Sequence, residues 1–353
     1  MPLVVEEHVP LGRYTTLEVG GPARYFITVR SEEEVKEALA LAGEKKLPIF
    51  VLGGGSNLLV GDEGFEGVVL HNRIAGFVVE EKREDARIRV GAGEVWDEIV
   101  KQCVQSGWAG IECLSGIPGS VGGAVVQNAG AYGQALHEVV EEVRAINVLT
   151  HTTEVFDNVA CQFEYRSSKF KKTIGRYVIT EVTLKFRRGE RPTISYHDLQ
   201  AYFRDRERAP TLGEVRDVII EIRARKGYVI MPGYECDKTA GSFFKNPMIS
   251  QELFETVRMQ VEQEKGEGCS KPWYWDVGAG QVKVSAACLI GRSGFPKGFL
   301  RGTVGISPRH PLSLVNFGGA TADEVMRLSQ EITNNVKEKF GVALEEEVVR
   351  LGV

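Results

Sequence analysis

The residues with the most chemical promise lie in a few short segments. Leu52-Gly53-Gly54-Gly55-Ser56-Asn57 ends an apolar run in three glycines and two short polar residues. Without Cβ atoms, a row of backbone N–H groups can close on an anion there, although a glycine turn that only reverses the chain would look the same. Gly116-Ile117-Pro118-Gly119-Ser120-Val121-Gly122-Gly123-Ala124 continues into Gln127-Asn128-Ala129-Gly130-Ala131-Tyr132-Gly133. Its valines argue for a packed segment rather than a surface linker, and small residues in a packed segment mark a close approach of backbone to something large and flat or phosphorylated. Two such segments in one chain suggest a dinucleotide gripped along its pyrophosphate. Neither is a Rossmann fingerprint: Gly91-Ala92-Gly93 opens like one, but Trp96 takes the last position. No P-loop pattern occurs.

Other segments offer acids, bases and cations. In Thr239-Ala240-Gly241-Ser242-Phe243-Phe244-Lys245-Asn246-Pro247, the hydroxyl of Ser242 stands beside two aromatics and could donate a proton in a site shielded from water. Capping a turn is the commoner use of serine. In Phe163-Glu164-Tyr165-Arg166-Ser167-Ser168-Lys169-Phe170, Arg166 could stack between aromatics and still reach an anion, or it could be a surface arginine. Leu344-Glu345-Glu346-Glu347-Val348, read as a strand, puts Glu345 and Glu347 on one face. Such carboxylates are costly if they face inward, and useful at an edge that must resist aggregation. Arg223-Ala224-Arg225-Lys226 could bind a diphosphate, or simply favour the negative end of a helix.

The elements that must carry these groups alternate between strand and helix. Arg24 to Arg30 reads as a strand. Ser31 caps a helix in a capping box with Glu34, and Val35, Leu39 and Ala42 form its inward stripe. Leu47 to Leu52 and Gly67 to Leu70 read as further strands. Ala86 to Val90 is a strand before a helix over Gly93 to Ser106, which Gly107 ends. Val139 to Val148, Tyr177 to Phe186 and Thr193 to Ser195 also read as strands. Arg204 to Pro210 is a connector before a helix capped by Thr211. The clearest helix is Ala322 to Phe340, with a Thr321/Glu324 capping box, a stripe of Val325, Leu328, Ile332 and Val336, and Gly341 as terminator. Ala343 to Leu351 reads as the last strand.

Composition narrows the class. The chain has 353 residues, 43% hydrophobic and 26% charged, with a net charge of −5 and a pI near 5.8. That is an ordinary globular composition with room for two or three domains. A weakly acidic chain has no general attraction for nucleic acid or an anionic membrane, so an anionic ligand must be held by local cations or backbone N–H groups. Neither a signal-like N-terminus nor an apolar run of membrane length is seen. These features favour the cytosol. The six cysteines (Cys103, Cys113, Cys161, Cys236, Cys269 and Cys288) show no metal-ligand spacing and are expected to be reduced thiols, and no metal site is expected.

Taken in order, GPARY, LGGGSN, GIPGSVGGAVVQNAGAYG, FEYRSSKF, AGSFFKNP and LEEEV resemble the UDP-N-acetylenolpyruvoylglucosamine reductase family from about Leu11 to Gly352. The resemblance implies an α/β (α+β) chain: a two-domain FAD-binding fold of the vanillyl-alcohol oxidase type plus a third, α+β substrate-binding domain. The expected divisions are 1–75 and 76–222 for the two FAD-binding subdomains and 223–342 for the substrate domain, with a C-terminal strand in 343–353 returning to the FAD-binding part. It further implies non-covalent FAD, NADPH as co-substrate, and reduction of an enolpyruvyl UDP-sugar in peptidoglycan precursor synthesis, by a cytoplasmic monomer with no nucleic-acid or membrane partner.

By motif match, the resemblance makes Ser242 the proton donor, with Arg166 and Glu347 stabilising the enol or enolate. Carbanion character beside a carboxylate needs a cation and a hydrogen-bond donor. Glu347 could donate only if protonated, which requires a raised pKa. Gly53, Gly54, Gly55, Ser56, Asn57, Pro118, Gly119, Ser120, Gly122 and Gly123 fall to the cofactor. Tyr132, Tyr196, Lys226, Asn246 and His310 fall to the substrate, with Tyr196 on a segment (Thr193 to Leu199) that covers the diphosphate in one branch of the family. His310 stands where some members have glutamine. Residues 227–239 look longer than usual, and Trp273-Tyr274-Trp275 reads as packing. Two other classes remain open: a carbohydrate or alcohol oxidase of the same fold, and a flavin or sugar-nucleotide binding module without catalysis. No histidine that could link a flavin covalently lies between Gly110 and Gly133.

Overall fold

The computed structural model describes residues 3–81, 85–187, 189–263, 269 and 272–353. It divides into two compact units. The first comprises residues 1–9, 23–54 and 65–236, and the second residues 10–22, 55–64 and 237–353. No helix among the described residues is long and apolar enough to cross a membrane.

The first unit is built on two sheets. Pro22–Val29, Phe65–Asn72 and Ile49–Leu52 lie side by side and run parallel, with Phe65–Asn72 in the middle. Parallel neighbours need a crossover, and helix α1 (Glu32–Lys45) supplies it, burying Val35, Ala38, Leu39 and Ala42. The oxygen of Ser31 accepts the Glu34 N–H, as expected from sequence. The Glu34 carboxylate, however, accepts from the Arg30 N–H instead of closing the box on Ser31. The other sheet is antiparallel, in the order Thr153–Asp157, Val140–Asn147, Tyr177–Arg187, Asp85–Gly91 and Phe77–Glu81. In its central register, Val143 faces Val182 and Val182 faces Val90. Alternation sends these valines inward, where they share a core with Ile99, Val100 and Cys103 of α2 (Trp96–Gln105). Trp96 is fully buried, and its indole N–H donates to the Leu114 carbonyl, the kind of partner a buried indole requires.

Three further helices bear on function: α3 (Val121–Gln127), inside the second glycine-rich segment; α5 (His197–Phe203); and α6 (Leu212–Arg225). Between α3 and α5 lies the single turn α4 (Lys169–Lys172). Helix α6 starts with a complete Thr211/Glu214 capping box. Residues 193–195, expected as a strand, join no ladder. Their hydrogen bonds go instead to a buried side chain described below.

The second unit gathers α7 (Gln251–Gln263), α8 (Ala286–Arg292) and α9 (Ala322–Phe340) around two small antiparallel sheets. Helix α9 has the expected Thr321/Glu324 box and ends at Gly341, at φ +68°. Its buried stripe of Val325, Leu328, Ile332 and Val336 packs with Phe254, Leu289 and Ile306. Each such side chain removed from water contributes roughly 1.5–3 kcal/mol. Trp273 is buried here against Phe254 and Tyr274, a packing role as read from sequence.

Two expectations fail in this unit. The expected strand over Ala343 to Leu351 is confined to Val349–Leu351, which runs parallel to Leu58–Val60. Upstream of it only Glu346 bridges, to Phe244. Cys269 and Cys288, 19 residues apart, form a disulfide, against the expectation of six thiols. Linear spacing does not show that folding places Cys269 against the buried face of α8. Of the free thiols Cys103, Cys113 and Cys161 are buried and Cys236 is exposed. Burial pushes Cys103 and Cys161 up to about 12, which keeps them unreactive.

Candidate functional site

In the first unit the two glycine-rich segments meet. A Cβ on Gly53 would lie 2.4 Å from Ser120 Oγ, and one on Gly54 would lie 2.5 Å from Gly119 Cα. Only hydrogen at both positions lets the backbones touch. Ser120 caps α3 through its oxygen, which accepts the Gly123 N–H. A Cβ on Gly122 would press on the Ala92 side chain at 3.1 Å, while Gly123 and Gly54 are exposed. Buried, tightly held backbone thus borders glycines open to solvent, with Pro118 and Gly119 half-buried between them. This cradle of bare backbone fits a diphosphate-bearing cofactor.

Further along the same segment, Tyr132 adopts φ +48° and Asn128 φ +45°, and Arg166 adopts φ +55° in its own turn. Such left-handed conformations are uncommon for residues with side chains and persist where the surroundings enforce them. The enforcing contacts are visible. Asn128 donates to the Glu164 carbonyl, Ser168 Oγ to the Val126 carbonyl, and Lys171 to both Gln127 Oε1 and the Arg166 carbonyl. These bonds bring Arg166 beside Gly130, where a Cβ would lie 3.1 Å from its Nη1.

Around Tyr132 stands a group of rings and cations. The Tyr196 ring meets it edge-on at 5.3 Å, and Lys226 Nζ lies 5.3 Å from its centre. Burial pushes both tyrosines up to about 12, so both are protonated donors at neutral pH. Burial lowers the pKa of Lys226; Asp198 opposes this and Arg223 reinforces it. Burial also lowers the pKa of Arg223, and the charge of Arg166 adds to that. Arg223 donates from Nε to the Gly116 carbonyl. The basic run at the end of α6 is therefore split: Arg223 and Lys226 face inward, whereas Arg225 pairs with Glu221 on the surface.

In the second unit the backbone does the assembling. The Glu347 N–H donates to the Phe243 carbonyl, the Lys245 N–H to the Glu345 carbonyl, and the Phe243 N–H to the Leu312 carbonyl. Ser242 and Glu347 are thus carried on adjacent, paired backbones, and both are half-buried. Asn57 joins them through two bonds: its side chain donates to the Glu347 carbonyl, and its own carbonyl accepts the Val349 N–H. His310 Nδ1 accepts the Leu312 N–H, which holds the turn that supports Phe243. Asn246 commits its side-chain carbonyl to Ala286, at the start of α8. The three glutamates separate. Glu345 pairs with Lys245, and Glu346 binds Ser329 and the Arg350 guanidinium. The expected strand alternation is replaced by three different environments.

Similarity to known proteins decides the family. Residues 23–156 match the family described as FAD binding domain. Residues 233–351 match the C-terminal domain of UDP-N-acetylenolpyruvoylglucosamine reductase. A reductase of that name from Thermobifida fusca is 41% identical over 351 residues, covering 98% of each chain. The chain belongs to the UDP-N-acetylenolpyruvoylglucosamine reductase family. The Pseudomonas aeruginosa reductase is 38% identical over 349 residues, covering 98% of this chain and 99% of its own. The crystal structure of the reductase from Thermus caldophilus aligns with a TM-score of 0.66 at 29% identity, over 99% of this chain and all of the other. Reductases of this family are FAD-dependent oxidoreductases of peptidoglycan synthesis that take their electrons from NADPH. The glycine cradle lies wholly within the FAD-binding match, and Ser242 and Glu347 lie within the reductase-specific match.

Sequence reasoning did not foresee several side chains. Asp97 is buried, takes both Arg216 N–H groups at 2.7 Å and the Gly116 N–H, and so fixes the start of the glycine segment. Glu112 is fully buried, and Asp198 faces Lys226. Nothing in the spacing of these acidic residues announces their partners.

Proposed function

We propose that this chain reduces the enolpyruvyl ether of UDP-N-acetylglucosamine to UDP-N-acetylmuramate, using FAD and NADPH, with the following roles for its residues. Bound FAD would supply the hydride carrier, accepting hydride from NADPH and delivering it to C3 of the enolpyruvyl group. Gly53, Gly54, Gly55, Ser56 and Asn57, with Pro118, Gly119, Ser120, Gly122 and Gly123, hold the cofactor through close backbone approach. Ser242 donates the proton that C2 requires. Arg166 and Glu347 disperse the negative charge that develops on the carboxylate side of C2 before that proton arrives. Lys226, Tyr132 and Tyr196 form a cation with two neutral donors, suited to a sugar diphosphate. Asn246 and His310 brace the substrate side of the Ser242 segment.

The observation that carries the reading is the backbone bond from Glu347 to Phe243, which sets a carboxyl next to the segment that bears Ser242. The finer reading is a cytoplasmic monomer serving wall growth, cell shape and division. The same reading includes no nucleic-acid or membrane partner, in keeping with a net charge of −5, which gives no general pull toward nucleic acid or anionic lipid.

The purified protein should be yellow. NADPH should bleach it, and the enolpyruvyl sugar nucleotide should restore the colour under anaerobic conditions. Denaturation should release free FAD. Flavin that stays covalently attached, or bleaching by an alcohol with recolouring by oxygen but not by the sugar nucleotide, would overturn the proposal.

A further inference from the structure

The mechanism above leaves one fully buried carboxylate unused. Glu112 has no exposed surface, and an isolated carboxylate is expensive to bury unless its oxygens are satisfied. Its two oxygens accept two backbone N–H groups: Oε2 takes Gly110 at 2.7 Å and Oε1 takes Thr193 at 2.8 Å. The first bond is local. Gly110 sits at φ +125°, a conformation closed to other residues, and its N–H aims the carboxylate. The second reaches 81 residues along the chain.

What Glu112 reaches is the segment that carries Tyr196. Residues 191–195 join no strand ladder, so side chains must fix them. Cys113 adds a second tie, from its Sγ to the Thr193 carbonyl at 3.5 Å, and the Cys113 N–H is itself anchored on Gln134 Oε1. Two residues on, Ser195 Oγ fills the space where a Cβ of Gly133 would stand, 2.1 Å away. Tyr196 then meets Tyr132 edge-on. The same short turn also ties back to the glycine-rich segment, because Ser115 Oγ donates to the Glu112 carbonyl.

We propose that Glu112 is the positioning residue for Tyr196: its carboxylate holds the Thr193 end of the tyrosine segment, so that the phenol stands ready beside Tyr132 and Lys226 for the substrate diphosphate. The proposal rests on the reading of Tyr196 as a substrate-side residue. Glutamate suits the task because an ionised carboxylate only accepts, whereas glutamine would turn an NH₂ group toward one of the two N–H donors.

The FAD-loaded enzyme tests this with Glu112→Gln, Tyr196→Phe and the double variant. Bleaching by NADPH should stay within twofold of wild type in Glu112→Gln. The KM for the enolpyruvyl UDP-sugar should rise about tenfold with a much smaller change in kcat, as expected when a binding contact is lost without loss of transition-state chemistry. The two substitutions should not multiply, because both remove one interaction. Amide exchange over residues 191–196 should speed up in Glu112→Gln. An unchanged KM in Glu112→Gln, or effects that multiply, would overturn the proposal while leaving Tyr196 in its role. An unchanged KM in Tyr196→Phe would remove the role of Tyr196 and the proposal with it. If Glu112→Gln does not fold, Glu112→Asp keeps both acceptors on a shorter arm and should show the same pattern at smaller size. Normal exchange and normal KM there would overturn the proposal equally.

Discussion

The two units hold their functional groups by different means. In the first unit, side chains that matter sit on strained or bare backbone: Tyr132, Asn128 and Arg166 at positive φ, and glycines at 53 and 54 where a Cβ would collide with Ser120 and Gly119. Buried charges surround them. In the second unit, Ser242 and Glu347 ride on paired backbone, placed mainly by backbone N–H to carbonyl bonds, with the Asn57 side chain as one further donor to the Glu347 carbonyl. A cradle for phosphates needs exposed backbone and concentrated cations, and their mutual repulsion is relieved when an anion arrives. A proton donor and a charge-dispersing carboxyl need a fixed distance from each other, and a backbone ladder delivers that with little freedom. On this account, substitutions in the first unit other than Arg166 should act on binding, and those at Ser242, Glu347 and Arg166 on chemistry.

The largest expected effect sharpens the binding side. Gly54→Ala would drive a Cβ into the Gly119 backbone at 2.5 Å, a contact that no rotamer relieves. FAD affinity, read by flavin fluorescence on titrating the apoprotein, should fall by more than about 100-fold, since several kcal/mol of packing strain oppose the bound arrangement. Unchanged FAD affinity would break the comparison at its first half. Next in size, Lys226→Ala removes a half-buried cation from beside Tyr132 and should raise the KM for the sugar nucleotide about 10- to 100-fold, the usual worth of a charge-assisted contact. A fall in kcat without a rise in KM would place Lys226 among the chemical groups instead.

The smallest effect concerns pH. Burial raises the Asp97 carboxyl, but the Arg216 and Gly116 hydrogen bonds outweigh it, and its pKa is lowered on balance. A carboxyl lowered by folding stabilises the protein fully above its unfolded pKa of about 4, and that contribution fades as pH falls toward the folded value. The stability gap between wild type and Asp97→Asn, measured by urea denaturation, should be constant from pH 5 to 7 and shrink below about pH 4. A gap independent of pH would show that the Asp97–Arg216 pair contributes packing alone.

How much of this was legible in the sequence depended on whether the signal was local. Helix α9 was readable from end to end because its caps and stripe are all encoded within it. The glycine segments, too, announced a close backbone approach. Helix α3 was hidden because five of its seven residues, two glycines and three valines, are poor helix formers. It stands on the Ser120 cap and on tertiary contact with Ala92. Of the expected strands at 193–195 and 343–351, the first gave its Thr193 N–H to Glu112, and residues 345–347 of the second bonded to the Phe243–Lys245 segment, leaving only Val349–Leu351 in a ladder. The Cys269–Cys288 bond, the Glu34 turn toward Arg30, and the Asp97 and Glu112 anchors are all choices of partner made in three dimensions.

The most direct test of the central claim is Ser242→Ala followed by rapid mixing in two steps. Bleaching of the flavin by NADPH should proceed near the wild-type rate. Recolouring by the enolpyruvyl sugar nucleotide should slow by about 100-fold or more, the loss expected when a positioned general acid is removed. Equal slowing of both steps, or of neither, would contradict the account.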